Sequence, residues 1–443
     1  MDVVIKCNEI LLQTIRLAGG PPGPIARTGA MMHITMYDII NQLTPAADQH
    51  EPYLPAATIA ACIPGANVRN DLASLFGAKK ILTTVYNDAF IVPDVSNRTN
   101  IQDFITYAFD ILLGDISFTS AQQTDSKLYG ECVADLVIAE RAGDGYNLPV
   151  PYIPKTDPGQ WRPTNSGPAA TPHWGRVTPF GRWSPNDQFR PELPGGYATR
   201  NKVLNSKEYA EQVKDVKLYG GTDSTLRTAE QTEIGFFWAN DLDGTSKPPG
   251  QLFTLTGIVS QDKELSLEEN ARLFALASIA MADASIIAWG TKYQTGLDLW
   301  RPETAIREAD FDGNASTIAD KDWTPLSQTA PEVGMDCMHG HIMPRHFSPP
   351  FPAYISGHAT FAAAHAAIMR NYFKTDNVSF TLSTEDPNAK GVERSFNSFS
   401  SAALENGRSR IYLGVHFQWD GDHGYFSGTS AGDYIYSNLL TKI

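Results

Sequence analysis

The chain has 443 residues, 42% hydrophobic and 19% charged, with 29 prolines and 35 glycines. That length and composition fit a globular protein able to bury a sizeable core, in one large domain or two to three ordinary ones. A formal net charge of −14 argues against nucleic acid or an anionic membrane as partner, and no run of about 18 apolar residues suggests a membrane span.

The first residues, MDVVIKCNEILLQTIRLAGG, lack the basic start, apolar block and cleavage site of a secretory signal. They read as an amphipathic helix with Val4, Ile5, Ile10, Leu11 and Ile15 near one face. The expected location is therefore the cytoplasm, or outside by another export route. Further helices are expected over Ala26–Gln42 and Asp103–Leu113, the latter ending at Gly114. Cys7, Cys62, Cys132 and Cys337 are widely spaced, with no CxxC or CxH pairing. The expectation is no zinc site and no disulfide framework.

Residues 148–200 are dense in Pro, Gly and Trp and cannot form a regular helix. Trp161, Trp174, Phe180, Trp183 and Phe189 make a disordered linker equally unsuitable. An ordered, extended segment packed over a helical body is predicted. Helices then resume: Ser266-Leu-Glu-Glu269 is a capping box, and the stretch after it is a buried helix ending near Gly290. A second strongly apolar helix spans Ala359–Phe373. The predicted fold class is all-α, a helix bundle with an irregular covering segment.

Three separated motifs carry the chemistry. Lys292 is followed, after eight residues, by Arg301-Pro302; the arginine offers bidentate donors to an oxyanion and the lysine a movable charge. Ser356-Gly357-His358 opens the apolar helix after a proline-rich approach. The serine thus falls near an N-cap, where unpaired N–H groups and a partial positive charge favour an anion, with His358 facing it. Ser409-Arg410 precedes His416 and Asp420. If helical, the His–Asp pair shares a face, so the carboxylate fixes one ring nitrogen and frees the other. Each motif alone has a plainer explanation: a capped helix, solvated surface cations, a stabilising ion pair. Three together converge on a phosphate-shaped anion site.

The set resembles the tripartite signature shared by vanadium-dependent haloperoxidases and the type 2 phosphatidic-acid (class A acid) phosphatases. Phe236-Phe-Trp-Ala-Asn-Asp241, the helix Ala271–Trp289 and PPFPAYISGHATF (Pro349–Phe361) are similar to the chloroperoxidase branch. Trp161-Arg-Pro163 and Gln188-Phe-Arg-Pro191 resemble bacterial members. The resemblance implies one haloperoxidase-like domain over 1–443: helical to 147, irregular over 148–200, helical with the anion site over 201–443. It implies vanadate as cofactor, with neither haem nor nucleotide. Lys292, Arg301 and Arg410 would neutralise it, Ser356 and the Gly357 N–H would hydrogen-bond its oxygens, and His416 would ligate vanadium. His358 would be the acid–base group. Asp241 would pair with Arg410, and Trp289 would cover the site. Phe351 occupies a position that is aromatic in chloroperoxidases.

The implied reaction is oxidation of chloride or bromide by hydrogen peroxide to hypohalous acid, which halogenates a small organic acceptor. Family members often form homo-oligomers. Lys292 would hydrogen-bond the peroxide, and vanadate affinity should fall in acid because ligation needs a neutral His416. Two departures stand out: Ile355 where the family usually has Pro, and an eight-residue Lys-to-Arg spacing where fungal chloroperoxidases show six. The rival reading is a phosphatase in which His416 attacks phosphorus and His358 protonates the leaving alkoxide. Trp289 and Phe351, narrowing the entrance, count against it. His339, His341 and His346 read as a loop lining the channel, His365 as a hydrogen-bonded core residue, and His423 as a rim residue.

Overall fold

The computed structural model describes residues 2–148, 150–164, 168–184, 187–327 and 348–443. His339, His341, His346 and Cys337 lie outside these residues. Among them the fold is helical, as the sequence predicts. The N-terminal helices are α1 (Val3–Ala18), α2 (Pro22–Leu43), α3 (Ala56–Ile59), α4 (Asn70–Val85), α5 (Val95–Gly114) and α6 (Ser120–Arg141). After the irregular segment come α7 (Arg200–Leu204), α8 (Lys207–Gly220), α9 (Ala229–Phe237), α10 (Lys247–Asp262), α11 (Leu267–Gln294) and α12 (Pro302–Arg307). The last are α13 (Gly357–Phe373), α14 (Phe399–Tyr412) and α15 (Gln418–Asn438). A small antiparallel ribbon, β1 (Phe380–Ser383) with β2 (Glu393–Phe396), pairs Phe380 with Phe396.

Helix α11 is the axis of the molecule. Its predicted capping box is present: Glu269 N–H donates to Ser266 Oγ (3.2 Å) and Ser266 N–H to Glu269 Oε2 (2.8 Å). It is long and apolar enough to cross a membrane, yet its most apolar window is wholly buried by other helices. It packs against α2 on one side and against α13 and α15 on another. It also runs past Gly290 to Gln294, so Lys292 belongs to its last turn instead of following it. That extra turn carries the ammonium into the protein interior.

Parallel packing of α13 on α15 sets the position of the site. Gly424, Gly428 and Gly432 recur every fourth residue along α15, forming a strip without side chains. A Cβ on Gly424 would sit 2.9 Å from Ser356 O, one on Gly428 2.3 Å from Thr360 O, and one on Gly432 2.7 Å from Ala364 O. The backbones can approach only because those Cβ atoms are missing. Residue numbers rise together along the seam, so both N-termini, with their positive ends, lie at one end. Ser356 N–H donates to Asp420 O across it (2.9 Å).

The irregular segment is pinned to α11 as expected. Asp283 accepts from Phe180 N (2.7 Å), Gly181 N (2.8 Å) and Trp183 Nε1 (2.6 Å), while Trp174 Nε1 donates to Ser285 Oγ (2.8 Å). Burial raises Asp283 to about 6, with those three donors pulling it back. One expectation fails: Cys62 and Cys132 form a disulfide, linking the turn after α3 to α6 with a Cα–Cα distance of 5.8 Å. A sequence separation of 70 residues hides this pairing, because only the packing of α6 brings the two together.

Candidate oxyanion site

The predicted residues meet at the shared end of α13 and α15. Ser356 is the N-cap of α13, its hydroxyl accepting from Ala359 N (3.4 Å). Gly357 lies under Trp289: a Cβ there would be 3.3 Å from Trp289 Cζ3. Trp289 is held by its Nε1–H on Ala170 O (3.1 Å) and packs on Phe351 with ring centroids 4.9 Å apart. Phe351 in turn lies beneath two cations, 5.1 Å from Lys292 Nζ and 4.9 Å from Arg301 Cζ.

His416 is not on a helix. It precedes α15, whose N-cap is Phe417, and Asp420 sits in the helix's first turn. Its contact with Asp420 therefore comes from capping geometry and not from a shared helical face. Asp420 Oδ2 accepts from Phe417 N (3.1 Å) and faces His416 Nδ1 at 2.8 Å. An oxygen already accepting one N–H takes the second hydrogen from the ring, so Nδ1 is the protonated nitrogen. Arg301 Nη1, which can only donate, lies 3.0 Å from His416 Nε2. Both neighbours thus specify the same tautomer, with the Nε2 lone pair facing the cations.

The electrostatics follow from burial. His416 is pushed well below its usual value, first by desolvation and then by Arg301, Lys292 and Arg410, so the ring is neutral near pH 7. Burial raises Asp420 to about 7, opposed by Lys292 and Arg301. His358, in the first turn of α13, is lowered to about 4 by burial and then by Arg410. Its Nε2 lies 3.0 Å from Ala239 O and 3.7 Å from Asp241 Oδ2, so Nε2 carries the hydrogen and Nδ1 the lone pair. Arg410 Nη2 donates to Asp241 Oδ2 (3.1 Å), the predicted pair.

Three cations are buried here: Lys292 and Arg301 fully, and Arg410 at 2% exposure. Arg301 gives Nε to Phe351 O (2.8 Å) and Nη1 to Val415 O (2.6 Å), but among the described residues its Nη2 has no partner. Nor do Nε and Nη1 of Arg410. Lys292 donates to the carbonyls of Pro352 (2.7 Å), Ala353 (3.0 Å) and Ile355 (2.5 Å). Those three acceptors match an ammonium, although burial and Arg301 press its pKa downward. Among the described residues neither Lys292 nor Arg301 has a carboxylate within ion-pair distance. Buried positive charge with unused planar donors, beside an N-cap hydroxyl and an imidazole lone pair, fits a tetrahedral oxyanion such as vanadate or phosphate.

Several contributors are invisible in the motifs. Ala239 supplies the carbonyl that orients His358. Lys247 Nζ holds the Asp241 loop through Asp241 O (2.6 Å) and Asp243 Oδ1 (2.7 Å). Asp386, buried and raised to about 6 by that burial, adds charge near Arg410 and Asp241. The glycine spacing in α15 is the one signal that could have announced the seam. His365 bonds Thr256 Oγ1 (2.8 Å) in the core as predicted. His423 Nδ1, partly buried, lies 2.5 Å from the Tyr354 hydroxyl.

Residues 272–443 match the family described as the VCPO second helical-bundle domain. The chain is 28% identical to the vanadium chloroperoxidase of Curvularia inaequalis over 502 aligned residues, 95% of this chain and 79% of that one. A bacterial vanadium-dependent iodoperoxidase superposes with a TM-score of 0.75 at 24% identity, covering 98% of this chain and 96% of the other. The holo form of a bacterial vanadium-dependent chloroperoxidase gives 0.67 at 16% identity, covering 97% and 95%.

Proposed function

We propose that this chain, a protein of the vanadium haloperoxidase family, is a vanadate-dependent enzyme that uses hydrogen peroxide to oxidise chloride, bromide or both to hypohalous acid. The observation that carries this reading is the cluster of unused Arg301 and Arg410 donors around the His416 Nε2 lone pair. Bound vanadate would supply a Lewis acid that makes peroxide oxygen electrophilic toward halide. His416 would ligate it through Nε2, with Asp420 holding the ring from the other side.

The remaining roles belong to side chains. Arg301 and Arg410 offset the oxyanion charge in a dry site, and Ser356 Oγ with the Gly357 N–H orients it. His358, neutral above about pH 4, accepts the peroxide proton at Nδ1 while Ala239 O retains its Nε2 hydrogen. Lys292 fixes the 352–355 loop through three carbonyls, which steadies Ser356 at the N-cap; freeing one of these donors would let it bond the peroxide. Phe351 and Trp289 give halide an apolar, cation-backed approach. The bacterial iodoperoxidase relative makes iodide a third halide to test.

The test is a pair of assays on vanadate-free protein. Halogenation of a small organic acceptor with chloride, bromide and iodide, after adding vanadate and peroxide, is the expected activity. Phosphomonoester hydrolysis without vanadate, in the absence of any halogenation, would instead establish the phosphatase reading.

A further inference from the structure

Helix α10 opens on a residue that stability alone does not favour there. Lys247 is its first residue and stands at φ +62°, a left-handed conformation that is costly for any side chain with a Cβ. Its charge lies at a helix N-terminus, where the macrodipole disfavours a cation. The residue is also only 7% exposed, so the flexible stem is immobilised and the ammonium largely out of water. Three costs meet in one side chain. They are offset by what Nζ holds, Asp241 O at 2.6 Å and Asp243 Oδ1 at 2.7 Å.

Those bonds close residues 239–247 into a ring. Asn240, itself at φ +42°, donates from Nδ2 to Lys247 O (3.1 Å). Lys247 N–H donates to Thr245 Oγ1 (3.3 Å), whose hydroxyl bonds Leu242 O (2.7 Å). From outside, Ser246 N–H donates to Glu385 Oε2 (2.7 Å), and Glu385 is paired with Arg16 of α1. The ring's other side faces the chemistry. Ala239 O lies 3.0 Å from His358 Nε2, while Asp241 Oδ2 lies 3.7 Å from the same nitrogen and 3.1 Å from Arg410 Nη2. Both oxygens beside the Nε2 hydrogen thus belong to one closed loop, two residues apart.

We propose that Lys247 is a positioning residue for the acid–base step: by fixing the Asp241 backbone it keeps the His358 Nε2 hydrogen on Ala239 O and the Nδ1 lone pair turned toward the oxyanion site. An ammonium suits the task because it donates several hydrogens from one atom and can grip a carbonyl and a carboxylate together. Without that grip the Asp241 carbonyl turns elsewhere for a donor, and Ala239 O moves with the loop. The imidazole is then free to rotate away from the reacting atoms, although His358 itself is intact. The catalytic half of this proposal rests on the haloperoxidase reading; the hold on the His358 ring does not.

The experiment compares Lys247→Met, which keeps the stem and removes the donors, with Lys247→Arg, which keeps donors. Asp243 is 48% exposed, so water can solvate its carboxylate once the ammonium is gone. In vanadate-free protein carrying isotope-labelled histidine, the His358 resonances are assigned by their loss in His358→Ala. The His358 Nε2 hydrogen should exchange with solvent about fivefold faster, or more, in Lys247→Met than in wild type or Lys247→Arg. In the vanadate-loaded enzyme, kcat for bromide oxidation should fall about 10- to 100-fold in Lys247→Met with the bromide KM unchanged, and Lys247→Arg should recover most of that loss. Unchanged exchange, unchanged kcat, or an arginine variant as impaired as the methionine one each overturns the proposal. Should Lys247→Met fail to fold, Lys247→Gln, shorter and neutral, is read in its place with the same expectations. A wild type that halogenates nothing would sink the function alone, because the exchange measurement then decides the role of Lys247.

Discussion

Two pairs of buried arginines in this molecule serve opposite purposes. In the N-terminal helices Arg27 and Arg141, each 3% exposed, share Asp144. They also donate to the carbonyls of Arg141 (2.9 Å) and Thr178 (2.5 Å), and lie over the Tyr146 and Phe180 rings at 3.9 and 3.7 Å. Arg301 and Arg410 are buried as deeply, yet keep hydrogens that no atom among the described residues accepts. Depth of burial does not distinguish a structural cation from a binding one; the count of unmet donors does.

The sharpest contrast is kinetic. His358→Ala should lower halogenation about 10²- to 10⁴-fold in steady-state assays while leaving vanadate bound. Asp144→Ala should do the reverse, costing about 3–5 kcal/mol in denaturant unfolding because two guanidiniums lose their shared carboxylate. Arg301→Met falls between: vanadate affinity, measured by titration, should drop by about 2–4 kcal/mol, with unfolding stability unchanged or higher. A comparable loss of stability in Arg301→Met would erase the distinction between the two pairs.

The smallest effect is the pH response. His358 is depressed from 6.5 to about 4, so its base form persists down to that value and protonation removes it only below. The acidic limb of kcat/KM should therefore lie near pH 4, well short of an ordinary histidine's. His416, also depressed, should likewise keep vanadate bound well below pH 6.5 before affinity falls in acid. A limb at 6.5 that His358→Ala leaves in place would assign the proton to another group.

Much of the site was legible because its chemistry lies in short runs. Ser356, Gly357 and His358 are contiguous, and the change from a proline-rich approach to an alanine-rich helix marks the N-cap between them. What stayed hidden depends on contacts between distant segments. No spacing rule links Lys292 to the carbonyls of 352–355, His358 to Ala239, or Cys62 to Cys132. The His416–Asp420 contact illustrates the same point: the spacing would suit a shared helix face, but the chain uses Asp420 as a cap. For the fold, apolar periodicity placed the buried helices well and their ends less well.

The Cys62–Cys132 bridge bears on how the proposed hypohalous-acid chemistry would spare the protein itself. Thiols and thioethers are the side chains such an oxidant attacks first. Among the described residues the one reduced cysteine, Cys7, is fully enclosed, and Met31, Met32, Met36, Met281 and Met369 are at most 2% exposed. With the other two sulfurs already joined, soft sulfur is withdrawn from the outer surface of everything described. Peptide mapping after exposure of the folded protein to hypohalous acid should therefore find Cys7 and these methionines unmodified.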